Sequence, residues 1–218
     1  MKYIIGNWKA NFTYNQANDW ADEFLKKNLS LPLDIEIILC APYPYLVLLS
    51  EKIKNIPQIK LGAQNISHFE NGAYTGEITA AMISDLVKYT LIGHSERRKY
   101  FHEHEAMLEQ KAELALEHNI QPIFCISNHN DQIPKNIKFV AYEPLEAIGT
   151  GKNESLEKVL EMKESLDLDP NTIFIYGGSV NESNAHEYIS SPQIQGLLPG
   201  SASLDPTSFY NIIKSCLE

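Results

Sequence analysis

Short apolar runs alternate along the chain with longer polar stretches in which apolar residues recur at helical spacing. This alternation is typical of repeated βα units and predicts an α/β fold. The runs are apolar throughout, as expected of parallel strands that are buried on both faces. There are eight: YIIG from Tyr3, IEIILCA from Ile35, IKLGA from Ile59, YTLIG from Tyr89, PIFCI from Pro122, KFVAY from Lys138, TIFIYGG from Thr172 and GLLPG from Gly196.

The stretches between the runs predict helices. They cover residues 14–28, 45–54, 80–87, 105–118, 154–168, 182–190 and 206–217. One connection differs: residues 128–137, NHNDQIPKNI, are close to the minimum of roughly 10 to 12 residues for a parallel crossover. Pro134 also disfavours a helix there. We therefore expect the fifth crossover helix to be missing or reduced.

Eight strands with mostly helical crossovers favour a closed (β/α)8 barrel, although an open doubly wound sheet would produce the same alternation. No G-x-G-x-x-G follows the first run, which weakens the interpretation as a dinucleotide-binding open sheet. The isolated GTG at Gly149 is only weak evidence for such a motif. A length of 218 residues with 44% apolar content suits one domain over residues 1–218.

The net charge and the cysteines limit which binding partners and which cellular compartment are compatible with the sequence. A net charge of −10 argues against a nucleic-acid surface, because neutralising phosphates needs an excess of Lys and Arg. Cys40, Cys125 and Cys216 are far apart and lack metal-site spacing, which favours free thiols in a reducing compartment. The apolar run before Gly6 is too short for a signal peptide, and no later run approaches a membrane span. We expect a cytoplasmic protein without a membrane or nucleic-acid partner.

Chemically capable residues follow the ends of the runs. In a barrel these positions converge on the C-terminal face, where barrel active sites are built. They are Asn7, Lys9, His94, Glu143, Ser179, Gly200 and Ser201.

Each of these residues also has a structural interpretation. A single Lys or Asn near a strand end is usually a solvated loop residue, and His94 could be a core histidine. A purely structural interpretation fits Glu143 less well, because it lies between the apolar FVAY and Pro144. Apolar surroundings disfavour the charged carboxylate and make it a better proton acceptor. His94 begins HSERR, which predicts a helix start, and the helix dipole there would hold the imidazole neutral.

Three segments of small residues fall on the same predicted face: GTG at Gly149, GGSV at Gly177 and PGSAS at Pro199. Each alone is most often a turn. Together they predict a phosphate site built from backbone N–H groups near the seventh and eighth strands, which would bind an anion despite the negative net charge. The other histidines have no matching carboxylate or cysteine cluster, so we expect no metal site.

Five motifs occur in order and nearly end to end: GNWKAN at Gly6, GAYTGE at Gly72, GHSERR at Gly93, AYEP followed by AIGTGK at Ala141, and YGGSV at Tyr176. With them the chain resembles the triosephosphate isomerase family, whose fold is the TIM barrel. The resemblance implies reversible interconversion of dihydroxyacetone phosphate and D-glyceraldehyde 3-phosphate through an enediolate, in glycolysis and gluconeogenesis, without a cofactor or metal.

The resemblance also implies roles for individual residues. Glu143 would be the base, neutral His94 the electrophile, Lys9 a positive charge beside the substrate, Asn7 a positioning group and Glu96 the partner that orients Lys9. The implied substrate and phosphate contacts are Asn7, Lys9, Gly149, Ser179, Gly200 and Ser201.

The remaining implied residues form a lid and a dimer contact. The lid is Pro144, Leu145, Glu146, Ala147, Ile148, Gly149, Thr150, Gly151 and Lys152. Within it we expect residues 144–146 to act as the hinge, and Glu146 to face solvent or a nearby Lys rather than to catalyse. A homodimer is implied, with a dimer loop of Thr75, Glu77 and Arg97.

Departures from the family pattern leave an alternative open. This chain has CISN from Cys125 where the family has C-I-G-E, and Pro-Leu-Glu from Pro144 where the family has P-V-W. Ser201 replaces a glycine of the family's phosphate loop. Its N–H contact with phosphate survives only if the backbone tolerates serine there. A non-catalytic phosphate-binding barrel would fit such changes. Retention of the proton-transfer residues favours the enzyme, and no second catalytic constellation supports a different phosphate-handling enzyme.

Overall fold

The structure is a computed structural model that describes residues 1–27, 31–146 and 153–217. Its strands are parallel, pair in chain order and close into a barrel through the pairing of the last strand with the first. The strands are β1 (Lys2–Asn7), β2 (Ile35–Ala41), β3 (Ile59–Ala63), β4 (Tyr89–Ile92), β5 (Gln121–Ile126), β6 (Phe139–Tyr142), β7 (Ile173–Tyr176) and β8 (Gly196–Leu197). Each predicted run contains a strand, and the predicted (β/α)8 barrel is confirmed.

Helices pack outside the barrel. In the described ranges they are α1 (Tyr14–Lys26), α2 (Leu46–Ile53), α3 (Ala80–Ile83), α4 (Ser95–Phe101), α5 (Glu105–Glu117), α6 (Leu156–Ser165), α7 (Ala185–Ile189) and α8 (Pro206–Ser215). Short 3₁₀ turns cover Tyr43–Tyr45 and Ser201–Ser203. Over these same residues no helix has the length and apolar character needed to cross a membrane.

The sequence predicted which segments form helices more accurately than it predicted the residues at which those helices begin and end. Helix α3 ends at Ile83 rather than at residue 87, and the chain continues as a turn in which the N–H groups of Leu86 and Val87 share the Ile83 carbonyl. Helix α6 begins after Ser155, whose hydroxyl accepts from the Lys158 N–H as an N-cap, and not at residue 154. Residue 28, the predicted end of the first helix, lies outside the described residues.

The fifth crossover contains no helix over residues 127–138, as predicted. Its turn is held instead by Asp131, whose Oδ2 accepts from the N–H of Ser127 at 2.6 Å and of Asn128 at 3.3 Å. Helices α4 and α5 both lie in the preceding crossover, so the helices are distributed unevenly around the barrel.

Two hydrophobic layers fill the fold, and the strands divide their side chains between them. In β6, Phe139 and Ala141 face the barrel interior, whereas Val140 and Tyr142 face the outer layer under the helices. The interior layer is Tyr3, Ile5, Ile38, Cys40, Leu91, Ile123, Cys125, Phe139, Ala141, Ile175 and Leu198. A residue two positions beyond an interior residue therefore turns toward the C-terminal mouth of the barrel.

Gly196 lets β8 close the barrel against its neighbours. A Cβ added there would lie 2.9 Å from Ile175 Cγ1 and 3.0 Å from the backbone oxygen of Tyr3. We expect Gly196→Ala to lower the free energy of unfolding by about 1–3 kcal/mol, because the backbone oxygen cannot move away without distorting β1. Urea denaturation measures this change. Ser50→Ala on the surface of α2 is the control, and an equal effect of the two substitutions would contradict the close-packing explanation.

Candidate active site

A cavity of about 260 Å³ opens at the C-terminal end of the barrel. It brings together predicted site residues that are distant in the sequence. Those in its lining are Asn7, Lys9, His94, Glu143, Ser179, Gly200 and Ser201.

The alternation of the strands explains how these side chains reach the cavity. In β6 Ala141 faces inward and Tyr142 outward, so Glu143 turns inward at the end of the strand. The same step of two leads from Ile5 in the interior layer to Asn7 at the end of β1. The alternation of side chains along the strands is therefore sufficient to place Glu143 and Asn7 in the cavity.

Glu143 and His94 form a buried pair in the cavity wall. Their exposed fractions are 3% and 4%, and Glu143 Oε1 lies 3.1 Å from His94 Nε2. Gly177 provides the room, because a Cβ there would come within 3.0 Å of Glu143 Cγ. The second oxygen of Glu143, Oε2, is buried and has no hydrogen-bond partner among the described residues.

The protonation of His94 is set by opposing influences. Burial lowers the pKa of His94, but the adjacent Glu143 carboxylate, followed by Glu96, outweighs burial and raises the pKa above its ordinary value. The Glu96 N–H donates to Nδ1 at 3.2 Å as His94 caps α4, so Nδ1 carries a lone pair in this arrangement. In this arrangement Nε2 is the ring nitrogen that donates toward Glu143 Oε1. The expected helix start is confirmed, but the net pKa direction is opposite to that expected from the helix dipole alone.

Lys9 is held from its backbone and from its side chain. Its φ of 52° lies in the left-handed region, which is uncommon for a residue other than glycine. Asn7 Oδ1 accepts from the Lys9 N–H at 3.0 Å, and Gln64 Nε2 donates to the Lys9 carbonyl at 2.9 Å. The ammonium lies 2.6 Å from Glu96 Oε1. The ammonium is thus fixed at the edge of the cavity.

Backbone groups of Ser179, Gly200 and Ser201 also line the cavity. Ser179 has a φ of 51°, and its carbonyl accepts from Asn181 Nδ2 at 3.4 Å and from Asn184 Nδ2 at 3.2 Å. Ser201 begins a 3₁₀ turn and has no positive φ, so the backbone tolerates serine there without strain. The N–H groups of Gly200 and Ser201 donate to no acceptor within the described ranges.

Only the first part of the predicted lid can be located. Pro144 is buried, whereas Leu145 and Glu146 are exposed. The remaining predicted lid residues lie outside the described residues: Ala147, Ile148, Gly149, Thr150, Gly151 and Lys152. The predicted phosphate contact of Gly149 is among them.

The predicted dimer loop projects from the barrel between β3 and α3. Residues 71–77, which include Thr75 and Glu77, are all exposed. Arg97 lies in α4, where its guanidinium contacts the buried carboxylate of Glu103 and stacks 4.4 Å from the Phe101 ring. Phe101 itself is 62% exposed, so Arg97 sits beside an exposed aromatic surface.

Comparisons with known proteins identify the family. The family model described as Triosephosphate isomerase matches residues 2–216. The chain belongs to the triosephosphate isomerase family. Among its relatives, the triosephosphate isomerase of Mycoplasma mobile is 38% identical, with 98% of this chain and 99% of that protein covered. Those of Dictyoglomus thermophilum (35% identical; 98% and 99% covered) and Trichormus variabilis (33%; 97% and 97%) are also similar.

Family membership confirms the resemblance inferred from the five motifs, but the motifs did not reveal every residue of the site. Gln64, Asn11 and the space-making role of Gly177 were missed. Gln64 follows β3 directly, which is the signal that indicated Asn7 and His94, and Asn11 lies within GNWKAN and donates to the Trp8 carbonyl at 2.7 Å. Within the described residues, no three His, Cys, Asp or Glu side chains group so as to hold a metal ion.

The pKa of His94 provides a direct test of the Glu143 contact. In the wild type we expect the pKa of the His94 ring to lie above its ordinary value of 6.5, and Glu143→Gln to lower it. The reason is that the substitution removes the negative charge that stabilises the protonated ring, while burial still disfavours it. NMR titration of the ring measures both values. Glu164→Gln, on the exposed surface of α6, should leave the pKa unchanged; an unchanged pKa in Glu143→Gln would exclude the contact.

Proposed function

We propose that this protein is an active triosephosphate isomerase that interconverts dihydroxyacetone phosphate and D-glyceraldehyde 3-phosphate through an enediolate. The observation that carries the proposal is the buried Glu143–His94 pair, which opens onto a cavity that also contains the Lys9 ammonium, in a chain of this family. Isomerisation of a triose phosphate needs a base, an electrophile and a site for the phosphate, and the cavity wall offers a group for each.

Glu143 acts as the base that moves a proton between adjacent carbons. Its carboxylate takes the proton from the carbon beside the carbonyl group and returns it to the neighbouring carbon. One oxygen is held by His94, and the other, Oε2, has no hydrogen-bond donor among the described residues. An unpaired buried acceptor is unfavourable, so the free oxygen is suited to taking up a proton.

His94 and Lys9 stabilise the charge that develops on the substrate oxygens. In the proposed mechanism the Nε2–H of neutral His94 exchanges its bond to Glu143 for a bond to a substrate oxygen. The Lys9 ammonium, oriented by Glu96, supplies positive charge in the same cavity. Fixed donors in a site shielded from water stabilise an enediolate more strongly than water does, because they need no reorganisation. Asn7 supports this arrangement by holding the Lys9 backbone.

The phosphate is held by backbone donors rather than by net charge. Gly200 and Ser201 offer N–H groups that have no acceptor in the described chain, and Ser179 lines the same cavity. Gly149 and the other lid residues would complete the site and exclude water when the lid closes over the substrate. Such a site binds a dianion in a protein with a net charge of −10.

The alternative is a barrel that binds a phosphate ligand without catalysis. A binding protein needs the backbone donors but not a buried carboxylate beside an imidazole. Burying Glu143 costs stability, because one of its oxygens has no partner among the described residues, and a role in proton transfer accounts for that cost. The enzyme is therefore favoured.

We further propose that the enzyme is one barrel domain over residues 1–218, acts in the cytoplasm in glycolysis and gluconeogenesis, and has no cofactor, membrane or nucleic-acid partner. Cys40, Cys125 and Cys216 are free and buried, which suits a reducing compartment. A homodimer is also part of the proposal. It is supported by the exposed Thr75 loop and by the exposed aromatic side chains of Tyr74 and Phe101.

Removing the base tests the proposed reaction. We expect Glu143→Gln to lower kcat on glyceraldehyde 3-phosphate by a factor of about 10² to 10⁴, because the amide cannot accept the proton. A coupled enzyme assay measures the rate. Glu164→Gln removes an exposed carboxylate of the same type and should retain the wild-type rate. The proposal fails if the wild type shows negligible turnover or if Glu143→Gln leaves turnover unchanged.

The dimer is tested at the loop tip. Sedimentation equilibrium should give twice the mass of one chain for the wild type, and Thr75→Arg should shift the protein toward the monomer, because a long charged side chain opposes burial at an interface. Ser165→Arg, on an exposed position at the end of α6, is the control. A monomeric wild type, or a Thr75→Arg variant as dimeric as the control, would contradict the proposed interface.

A further inference from the structure

Three tyrosines converge on Glu154, the second residue after the predicted lid. Tyr142 ends β6, Tyr176 ends β7 and Tyr188 lies in α7, and we call these three residues the tyrosine clamp. The Tyr142 hydroxyl donates to Glu154 Oε2 at 2.8 Å, the Glu154 N–H donates to the Tyr176 hydroxyl at 2.9 Å, and the Tyr188 hydroxyl donates to the Glu154 carbonyl. Glu154 is therefore held at its side chain, its N–H and its carbonyl.

The clamp is a rigid support. Tyr142 is 4% exposed, and Tyr176 and Tyr188 are fully buried. The rings of Tyr176 and Tyr188 pack with centroids 4.3 Å apart, and Asn153 Nδ2 donates to the Tyr188 hydroxyl at 2.6 Å. Buried hydroxyls with satisfied partners fix side-chain positions, because breaking one bond leaves a buried polar group unpaired. The chain directly after residue 152 is thus anchored to the barrel wall.

Tyr142 connects this anchor to the proposed base. It precedes Glu143 in the chain, and the two side chains point to opposite faces of the strand end, outward and inward respectively. A bond that holds the Tyr142 side chain therefore also limits rotation of the backbone that carries Glu143. The carboxylate of Glu146 acts on the same phenol: burial raises the pKa of Tyr142 most, and Glu154 and then Glu146 raise it further.

We propose that Tyr142 and Glu154 are positioning residues for the isomerisation, and that their hydrogen bond keeps Glu143 aligned with the two substrate carbons while the chain after the lid stays fixed. The inference rests on the proposed function and extends it to the outer side of β6. A misaligned base returns the proton to the enediolate more slowly. The intermediate then loses phosphate more often: the bond between carbon and the phosphate-bearing oxygen breaks, phosphate leaves with the electron pair, and the enol that remains tautomerises to methylglyoxal.

The kinetic test compares kcat, KM and the ratio of released phosphate to isomerised product. We expect Tyr142→Phe and Glu154→Ala each to lower kcat roughly tenfold with little change in KM, and to raise the release ratio by a similar factor. The double variant should lose no more than either single variant, because both substitutions break the same bond. Glu154→Gln keeps an acceptor oxygen and should restore most of kcat.

Tyr89→Phe is the matched control. Tyr89 donates to the carboxylate of Glu36 at the starts of β4 and β2, so the substitution removes the same type of bond at the other end of the barrel. It should leave the release ratio at the wild-type value. Effects of Tyr142→Phe no larger than those of Tyr89→Phe, full additivity in the double variant, or no rescue by Glu154→Gln would each overturn the inference.

Hydrogen–deuterium exchange separates this inference from the proposed function. The amide at residue 154, relative to its intrinsic exchange rate, should exchange faster in Tyr142→Phe and Glu154→Ala than in the wild type or in Tyr89→Phe, whether or not substrate is present. Unchanged exchange overturns the positioning role even if the wild type isomerises triose phosphates. Absence of wild-type turnover would instead overturn the proposed function.

Discussion

Alternation of side chains between the inside and the outside of a closed barrel is the constraint on which the rest of this protein depends. Interior residues such as Ala141 pack the barrel, so the next inward position, Glu143, must enter its mouth. The outward neighbour Tyr142 must lie under the outer layer. One strand end therefore supplies both the proposed base and its proposed support, and a shift of one residue in the register would exchange them.

The electrostatics of the site follow from that enclosure. A buried carboxylate is costly unless it is paired, and His94 pairs with one oxygen of Glu143 while leaving the other without a described partner. Lys9 is balanced by Glu96 instead, so the ammonium does not neutralise the base. The Lys9 ammonium and the Glu143–His94 pair line one small cavity, and Glu96 lies outside its lining, beside both Lys9 and His94. A basic and an electrophilic group are thereby held side by side.

Much of the architecture could be predicted because its signals are local. Uniform apolar runs mark strands buried on both faces, and Pro134 in a short connection marks the crossover that has no helix. The ends of α3 and α6 were predicted less well, because capping and turn bonds decide them over a few residues. The raised pKa of His94 depends on the carboxylate of Glu143, 49 positions away in the sequence, and no local pattern indicates that contact.

The order of residues indicated the alternating strands and helices, the polar residues at the strand ends and the resemblance to the family, because strand periodicity and motif spacing are properties of the chain itself. The folded arrangement decided which groups touch. The 3.1 Å contact of Glu143 with His94 and the bonds from Tyr142, Tyr176 and Tyr188 to Glu154 join separate βα units. Such contacts depend on how the closed barrel brings strand ends together, and no local pattern in the sequence encodes their distances.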